Sequence, residues 1–271
     1  MVRKRTTPTR FLVFLSRRDL IGAQRNPFLA IKVIANPSGA YVATLGGSWD
    51  EFYAAKRSAS TRKRERRQFK HLAEHGNVRF VDAQGKADVE RTIDTLISQK
   101  SRSFARMGVD DMFARPGYRA FYLDVASDHN VRALTHVSRL EVGAATAATN
   151  LGLTFRDCYY LVLSSYDDGD IARFGPGRAH LHEFLRHAIE RGYQRFDFTI
   201  GDEPYKRDWS DIEVRLYDHL EAVTLRGAAV VAMTTAFRRT KRLIKQTPAL
   251  WHAYSKLRQL ARSRARRGAD G

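Results

Sequence analysis

The chain has one cysteine, Cys158, in 271 residues. A single thiol excludes an internal disulfide framework and a Cys-rich zinc site, and nothing demands an oxidising compartment. Long apolar runs are missing too. The N-terminal run Phe11–Leu15 is too short for a signal peptide, and Gly227–Phe237 is too short to span a bilayer and is flanked by Arg226 and Arg238. A soluble cytoplasmic protein is expected. Acidic residues are scarce at both ends. Residues 1–26 carry seven Lys/Arg against one acid, and residues 238–271 carry eleven against one. The stretch 76–237 carries twenty against twenty-three, so the net charge of +18 does not reside in the central body. Weak attraction of the basic ends to polyanions or an anionic membrane follows. No nucleic-acid-reading motif accompanies the charge, and no specific nucleic acid is expected as a partner.

Several chemistries are excluded by motifs that are not there. No Gly-Lys-Ser/Thr follows a glycine-rich turn, so there is no Walker loop, and the glycine spacing does not fit a dinucleotide fingerprint. No Gly-x-Ser-x-Gly elbow surrounds Ser164 or Ser165, and Cys158 inside an apolar strand reads as a buried structural thiol. His182 and His187 are five apart, not the four of a helical zinc pair. His180, Glu183 and His187 share a face that reads more simply as the polar side of a helix, and no metal is expected.

What is present has a clear order. Residues 1–26 are basic and patternless, and read as a flexible arm. Phe28–Ile34 and Ala40–Leu45 flank Asn36-Pro37-Ser38-Gly39 and read as a hairpin. Ser48-Trp49-Asp50-Glu51 fits a capping box that opens a long helix ending near Gly76. Its middle, Arg62–Arg67, is a solvated segment or an arginine face over an acidic ligand. A strand over Asn77–Val81 and two amphipathic helices follow. Val137–Val142, Ala145–Leu153 and Cys158–Ser165 then read as an antiparallel meander. Leu181, Phe184, Leu185, Ala188 and Ile189 form a helical stripe that ends at Gly192. Phe196, Phe198 and Ile200 alternate with Arg195, Asp197 and Thr199, a strand with one apolar and one polar face. A last strand falls within Glu213–Thr224, and residues 228–262 are helical in pattern.

Two segments carry candidate chemistry. Arg173-Phe174-Gly175-Pro176-Gly177-Arg178 precedes the helix with the Leu/Phe stripe. Glycines let a backbone approach a phosphate where first-turn amides and the helix dipole point outward, although an ordinary turn has the same pattern. Asp197 and then Gly201-Asp202-Glu203-Pro204-Tyr205-Lys206 gather carboxylates, a phenol and an ammonium within ten residues. Such a set could take a proton from an amine or hydroxyl and return one to a leaving thiolate, or it could be a solvated loop.

Phe196–Trp209, the Pro176-Gly177 loop with its helix and the Arg-rich helix after Ser48-Trp49 together resemble the CelD-like family of GNAT acyltransferases, associated with cellulose and polysaccharide biosynthesis. The resemblance covers residues 48–225 and extends to the FemX-type peptidyltransferases, which have tandem GNAT-like halves. It implies an α+β GNAT-like acyl-CoA N-acyltransferase fold: a mixed, mostly antiparallel sheet flanked by helices, over 27–226, followed by a basic helical tail over 227–271. Residues 27–47 would be an abbreviated version of the family's longer N-terminal half. It implies acetyl-CoA or another acyl-CoA as cosubstrate, held by Arg173, Phe174, Gly175, Pro176, Gly177 and Arg178, with the pyrophosphate on the amides of Gly175, Gly177 and Arg178. Transfer would be direct, to an amine or hydroxyl of a small molecule or saccharide precursor, with no metal. Asp197 and Tyr205 would be the acid/base pair, and Glu203, Lys206 and Trp209 would contact the acceptor. FemX-like aminoacyl transfer from tRNA, or a degenerate GNAT domain serving as a scaffold, are the alternatives.

Overall fold

Residues 11–21, 24–128 and 130–246 are described in the computed structural model. The chain runs through β1 (Phe11–Arg18), β2 (Leu20–Ile21), β3 (Gln24–Arg25), β4 (Ile34–Ala35), β5 (Ala40–Thr44), α1 (Trp49–Lys56), α2 (Ala59–Ala73), β6 (Val78–Asp82), α3 (Gly85–Met107) and α4 (Tyr118–Ser127). It continues through β7 (Thr135–Val142), β8 (Ala145–Phe155), β9 (Cys158–Tyr166), α5 (Pro176–Glu190), β10 (Arg195–Ile200), α6 (Pro204–Trp209), β11 (Ile212–Val214), β12 (Leu216–Ala222) and α7 (Leu225–Gln246). Two compact units emerge, one of residues 41–199 and 203–212, the other of residues up to 40, 200–202 and from 213 onward.

The larger unit is built on the meander, whose turns are set by local chemistry. Gly143, at φ 60°, turns β7 into β8, and Arg156, at φ 54°, turns β8 into β9. The sheet has seven strands in the order β11-β5-β10-β9-β8-β7-β6, with β11, where the chain leaves this unit, at one edge. Pairing is antiparallel from β6 to β9 and parallel between β9 and β10. This is the mixed, mostly antiparallel α+β sheet expected. The parallel step needs a crossover, which α5 supplies. Its stripe buries Leu181, Phe184, Leu185 and Ala188 against Tyr159, Leu161, Phe196 and Phe198. A second cluster joins Val89, Ile93 and Leu96 of α3 to Val137 and Leu151.

Close approach decides one position. Gly152 of β8 lies over the Tyr159 ring, and a Cβ there would come within 2.1 Å of Tyr159 Oη. Tyr159 is wholly buried, with Oη accepting from Asn150 Nδ2 at 2.7 Å.

The helix expected from Ser48 to Gly76 is two helices. Ser48 and Glu51 form the capping box, but Arg57 is extended and Ser58 caps a new helix, its hydroxyl accepting from Thr61 N at 3.2 Å. A second good N-cap ten residues after the first competes with helix continuation.

The smaller unit corrects two further expectations. Residues 11–18, read as part of a patternless arm, pair antiparallel with β12 over Phe11–Ala222 to Arg18–Leu216; residues 1–10 lie outside the described residues. The hairpin expected around Asn36–Gly39 does not form, because Ile34–Ala35 pairs with β12 while β5 enters the seven-stranded sheet. The turn itself is present, with Asn36 Oδ1 accepting from Ser38 N at 2.9 Å. Asp218 of β12 explains the routing. Fully buried, it accepts from Ser16 N at 2.9 Å, from Asn36 Nδ2 at 2.9 Å and from Arg238 of α7. A buried carboxylate demands several donors, and these come from three segments far apart in the chain. The basic helical tail expected over 227–271 is helical from Leu225 to Gln246, and the remainder lies outside the described residues.

Candidate active site

The parallel ladder between β9 and β10 is short. Cys158, Tyr159 and Tyr160 pair with Arg195, Phe196 and Asp197, and the pairing ends there while β9 runs on to Tyr166. Thr199 explains the end of the ladder. Its φ is 58°, a left-handed conformation that β-branched residues avoid. Two bonds hold it: Thr199 N donates to Asp197 Oδ1 at 2.8 Å, and Thr199 Oγ1 donates to Leu161 O at 2.9 Å. Such strain costs roughly 1–3 kcal/mol and persists only where neighbours impose it. The result is a fork, with the C-terminal half of β9 forming one tine.

This geometry corrects the placement of Asp197. The alternation predicted a polar strand face, yet Phe196, Asp197 and Phe198 are all fully buried. A central strand is covered on both faces, so the alternation at Asp197 marks an internal hydrogen-bonding role, not solvent. Ile200, expected on the apolar face, is 42% exposed.

Past Tyr166 the chain makes an acidic turn tied to α3. Arg102 donates to Asp167 Oδ1 at 2.8 Å and to Asp168 Oδ1 at 2.9 Å. The Gly-Pro-Gly loop follows. Gly175 takes φ 69° as the residue before the helix, and Pro176 occupies the first helical position, where its missing N–H costs nothing. Gly177 abuts β9, since a Cβ would come within 2.9 Å of Tyr166 Cδ1. The expected cradle of three amides is smaller than predicted. Gly175 N donates to Ala172 O at 3.1 Å and Arg178 N to Gly175 O at 3.0 Å, so the turn uses both. The Gly177 amide belongs to the first helical turn, whose donors lack intrahelical acceptors. Arg178 Nη1 reaches Gln68 Oε1 at 2.6 Å, and Gln68 Nε2 donates to Arg173 O at 3.1 Å, so α2 braces the loop. The Arg173 guanidinium lies 4.8 Å from the centroid of the Phe174 ring, and that ring packs at a tilt against His75, with centroids 4.6 Å apart.

The Glu203–Trp209 segment is short helix α6, opened by Pro204. Tyr205 is hydrogen-bonded through its side chain to Ser164 on β9. Burial, reinforced by the Glu203 charge, raises its phenol pKa well above the ordinary value, and Ser164 partly opposes this. The Tyr205 phenol therefore keeps its proton at neutral pH. Lys206 is buried and meets Glu203 Oε2 at 3.2 Å. Lys100 of α3 joins this group. Burial lowers its ammonium pKa, Glu203 raises it and Lys206 lowers it further. No local pattern marks Lys100, because it sits on α3 about a hundred residues before the groups it faces. Trp209, expected to contact the acceptor, is instead completely buried, with its ring 5.8 Å from Phe52 and 6.2 Å from Trp49. A full aromatic side chain at the end of α6 anchors that helix to the core.

The histidines of α5 are not a solvated polar side. His180 is buried against Phe80 and Phe184, and burial lowers its pKa to about 3. His182 is buried beside Glu65, with Nε2 3.6 Å from Glu65 Oε2, and burial likewise holds its pKa at about 3. His187 lies with His136 and Asp82, the one such cluster of potential metal ligands among the described residues. Its arrangement disfavours an ion. The His136 and His187 rings stack at 4.2 Å with planes 1° apart, and parallel planes give no point lying in both, where a nitrogen-ligated ion must sit. His136 Nε2 and Nδ1 are also engaged, at 2.8 Å with Asp82 Oδ1 and 2.7 Å with Tyr159 Oη.

Comparison with known proteins bears on the family and the fold. Residues 59–207 match the model of the acetyltransferase (GNAT) domain. Among solved structures, the C-terminal domain of a predicted lysylphosphatidylglycerol synthetase from Agrobacterium fabrum is similar at 12% identity and a TM-score of 0.51, covering 82% of this chain and 71% of that one. L-PGS from Bacillus licheniformis is similar at 10% identity and a TM-score of 0.50, covering 85% and 74%. FemX aligns at 9% identity with a TM-score of 0.49, over 70% of this chain and 60% of its own. This chain thus spans less than two thirds of FemX. No curated protein matches the sequence. The identities to solved structures bear on fold alone. The family match covers more than half of the 271 residues, and the chain belongs to the acetyltransferase (GNAT) domain family.

Proposed function

We propose that this protein is a CelD-like acyltransferase that moves an acetyl or other acyl group from acyl-CoA to an amine or hydroxyl of a saccharide precursor. The observation that carries the reading is the fork at Asp197–Tyr160, with the Gly-Pro-Gly loop and the α5 N-terminus directly following the longer tine. A forked strand offers backbone groups to an amide-bearing pantetheine arm, and the helix start offers amide and dipole to its pyrophosphate. Arg173 and Arg178 add charge beside Phe174, Gly175, Pro176 and Gly177.

In this reading the acceptor's lone pair attacks the thioester carbonyl carbon, whose oxygen is stabilised by backbone N–H groups of β9. The C–S bond then breaks. Tyr205 gives its proton to the departing thiolate, and Lys100, in the neutral amine form that burial favours, takes the proton of the acceptor. Glu203 and Lys206 border the acceptor. Asp197 acts through Thr199, keeping the fork open, and is a positioning residue. Trp209 fixes α6 from within the core.

Titration with acetyl-CoA by calorimetry tests the reading. Saturable binding at one site per chain is expected. An absence of CoA binding together with salt-sensitive tRNA binding would favour aminoacyl transfer, and binding of neither would favour a non-catalytic scaffold.

A further inference from the structure

Helix α7 of the smaller unit is inverted. The face it turns towards β12 and β1 holds Gly227, Val230, Val231, Thr234, Thr235 and Arg238, all buried or half-buried. The face it turns to solvent holds its largest apolar side chains. Leu225 is 92% exposed, Met233 66%, Phe237 68% and Leu243 62%. With Ala229 and Ala236, also exposed, they recur at intervals of three, four and seven residues, which is one stripe on a 3.6-residue helix. A globular helix buries such a stripe, and one left outside marks a surface with a partner.

Charge identifies the partner. No aspartate or glutamate occurs between Ala222 and Asp270, while residues 238–271 carry eleven Lys/Arg. Arg239, exposed, borders the stripe on one side, and Arg226, also exposed, falls beside Met233 and Phe237 at its N-terminal end. A protein groove would have to match an extended apolar stripe with a long acidic surround. An anionic bilayer presents both features everywhere, acyl chains beneath and negative headgroups above. At 22 residues the helix is about 33 Å long, and no helix among the described residues is long and apolar enough to cross a membrane, so against a bilayer it would lie in the interface plane. We propose that α7 docks the protein on anionic lipid surfaces, with Leu225, Met233 and Phe237 entering the acyl boundary and Arg226 and Arg239 lying among the charged headgroups. A single amphipathic helix of this kind gives reversible attachment that both terms strengthen.

The test is sedimentation of the full chain with vesicles of phosphatidylcholine alone and of phosphatidylcholine mixed with phosphatidylglycerol, using the native protein and a Met233→Ser/Phe237→Ser variant. Both side chains are exposed, so the variant should keep the native melting temperature. Binding is expected to the anionic vesicles and not to the neutral ones, and to fall about tenfold or more in the variant. Equal binding by the variant would reduce the interaction to tail charge and overturn the proposal. So would equal binding to both vesicle types. A native dimer that the double substitution dissolves would assign the stripe to a second copy of the chain and overturn it as well.

Discussion

Tyr205 and the buried histidines are where the chemistry becomes specific. Tyr205→Phe keeps the ring in its place and removes only the proton that the proposed mechanism uses. Steady-state kinetics should show kcat falling about 100-fold while KM for acetyl-CoA changes little. The histidines set acid sensitivity. His180 and His182 have folded-state pKa values near 3 against an ordinary 6.5. Between those values the unfolded chain binds more protons than the folded one, so stability present above pH 6.5 is lost as the pH falls towards 3. Each histidine contributes a slope of up to about 1.4 kcal/mol per pH unit. Denaturant melts at pH 7 and pH 5 should show this loss, and His180→Asn should make the difference smaller. Asp197 shows how a residue's type can be legible while its setting is not. Its alternation with Phe196 and Phe198 marks a strand, but a strand flanked by neighbours has no solvent face, and sequence period alone does not reveal the neighbours.

At the scale of elements, what was legible was local. The meander, the α5 stripe and the Ser48 cap each carry a signal within a short run of residues, and each forms as predicted. What was missed depends on partners distant in sequence. The β1–β12–β4 sheet joins residues 11–18, 34–35 and 216–222, and no periodicity in residues 11–18 reveals that pairing. Ser58 is in principle a legible N-cap, but the capping box ten residues earlier and the helical composition that follows it favour a single helix from sequence alone. The β8–β9 pair offers a strict test of packing. Gly152→Ala would drive a methyl into the wholly buried Tyr159 ring, with no flexible end to yield. A loss of about 2–3 kcal/mol is expected in chemical denaturation, with the m-value unchanged. Stability equal to the native protein would mean that Tyr159 does not pack on β8 as described.

Across the whole molecule, charge and function separate along the chain. The GNAT match lies within residues 59–207, inside or beside the near-neutral body, whereas the strongest positive charge follows residue 238. Composition therefore points away from the candidate site, which takes shape only when β9, α5, α6 and α3 are brought together. The fold was legible because the strand–loop–helix–strand order survives in sequence. The cluster of Tyr205, Ser164, Lys206 and Lys100 was legible only in part, because Lys100 and Ser164 reach it through tertiary packing. In the proposed reaction the β9 tine and the start of α5 hold acyl-CoA. Hydrogen exchange of the full chain with and without acetyl-CoA tests this most directly. Amides of Leu161–Tyr166 and of the first turn of α5 should gain protection when the cosubstrate is present, with the meander turns unchanged. Acetyl-CoA that binds without protecting these two segments would contradict the account.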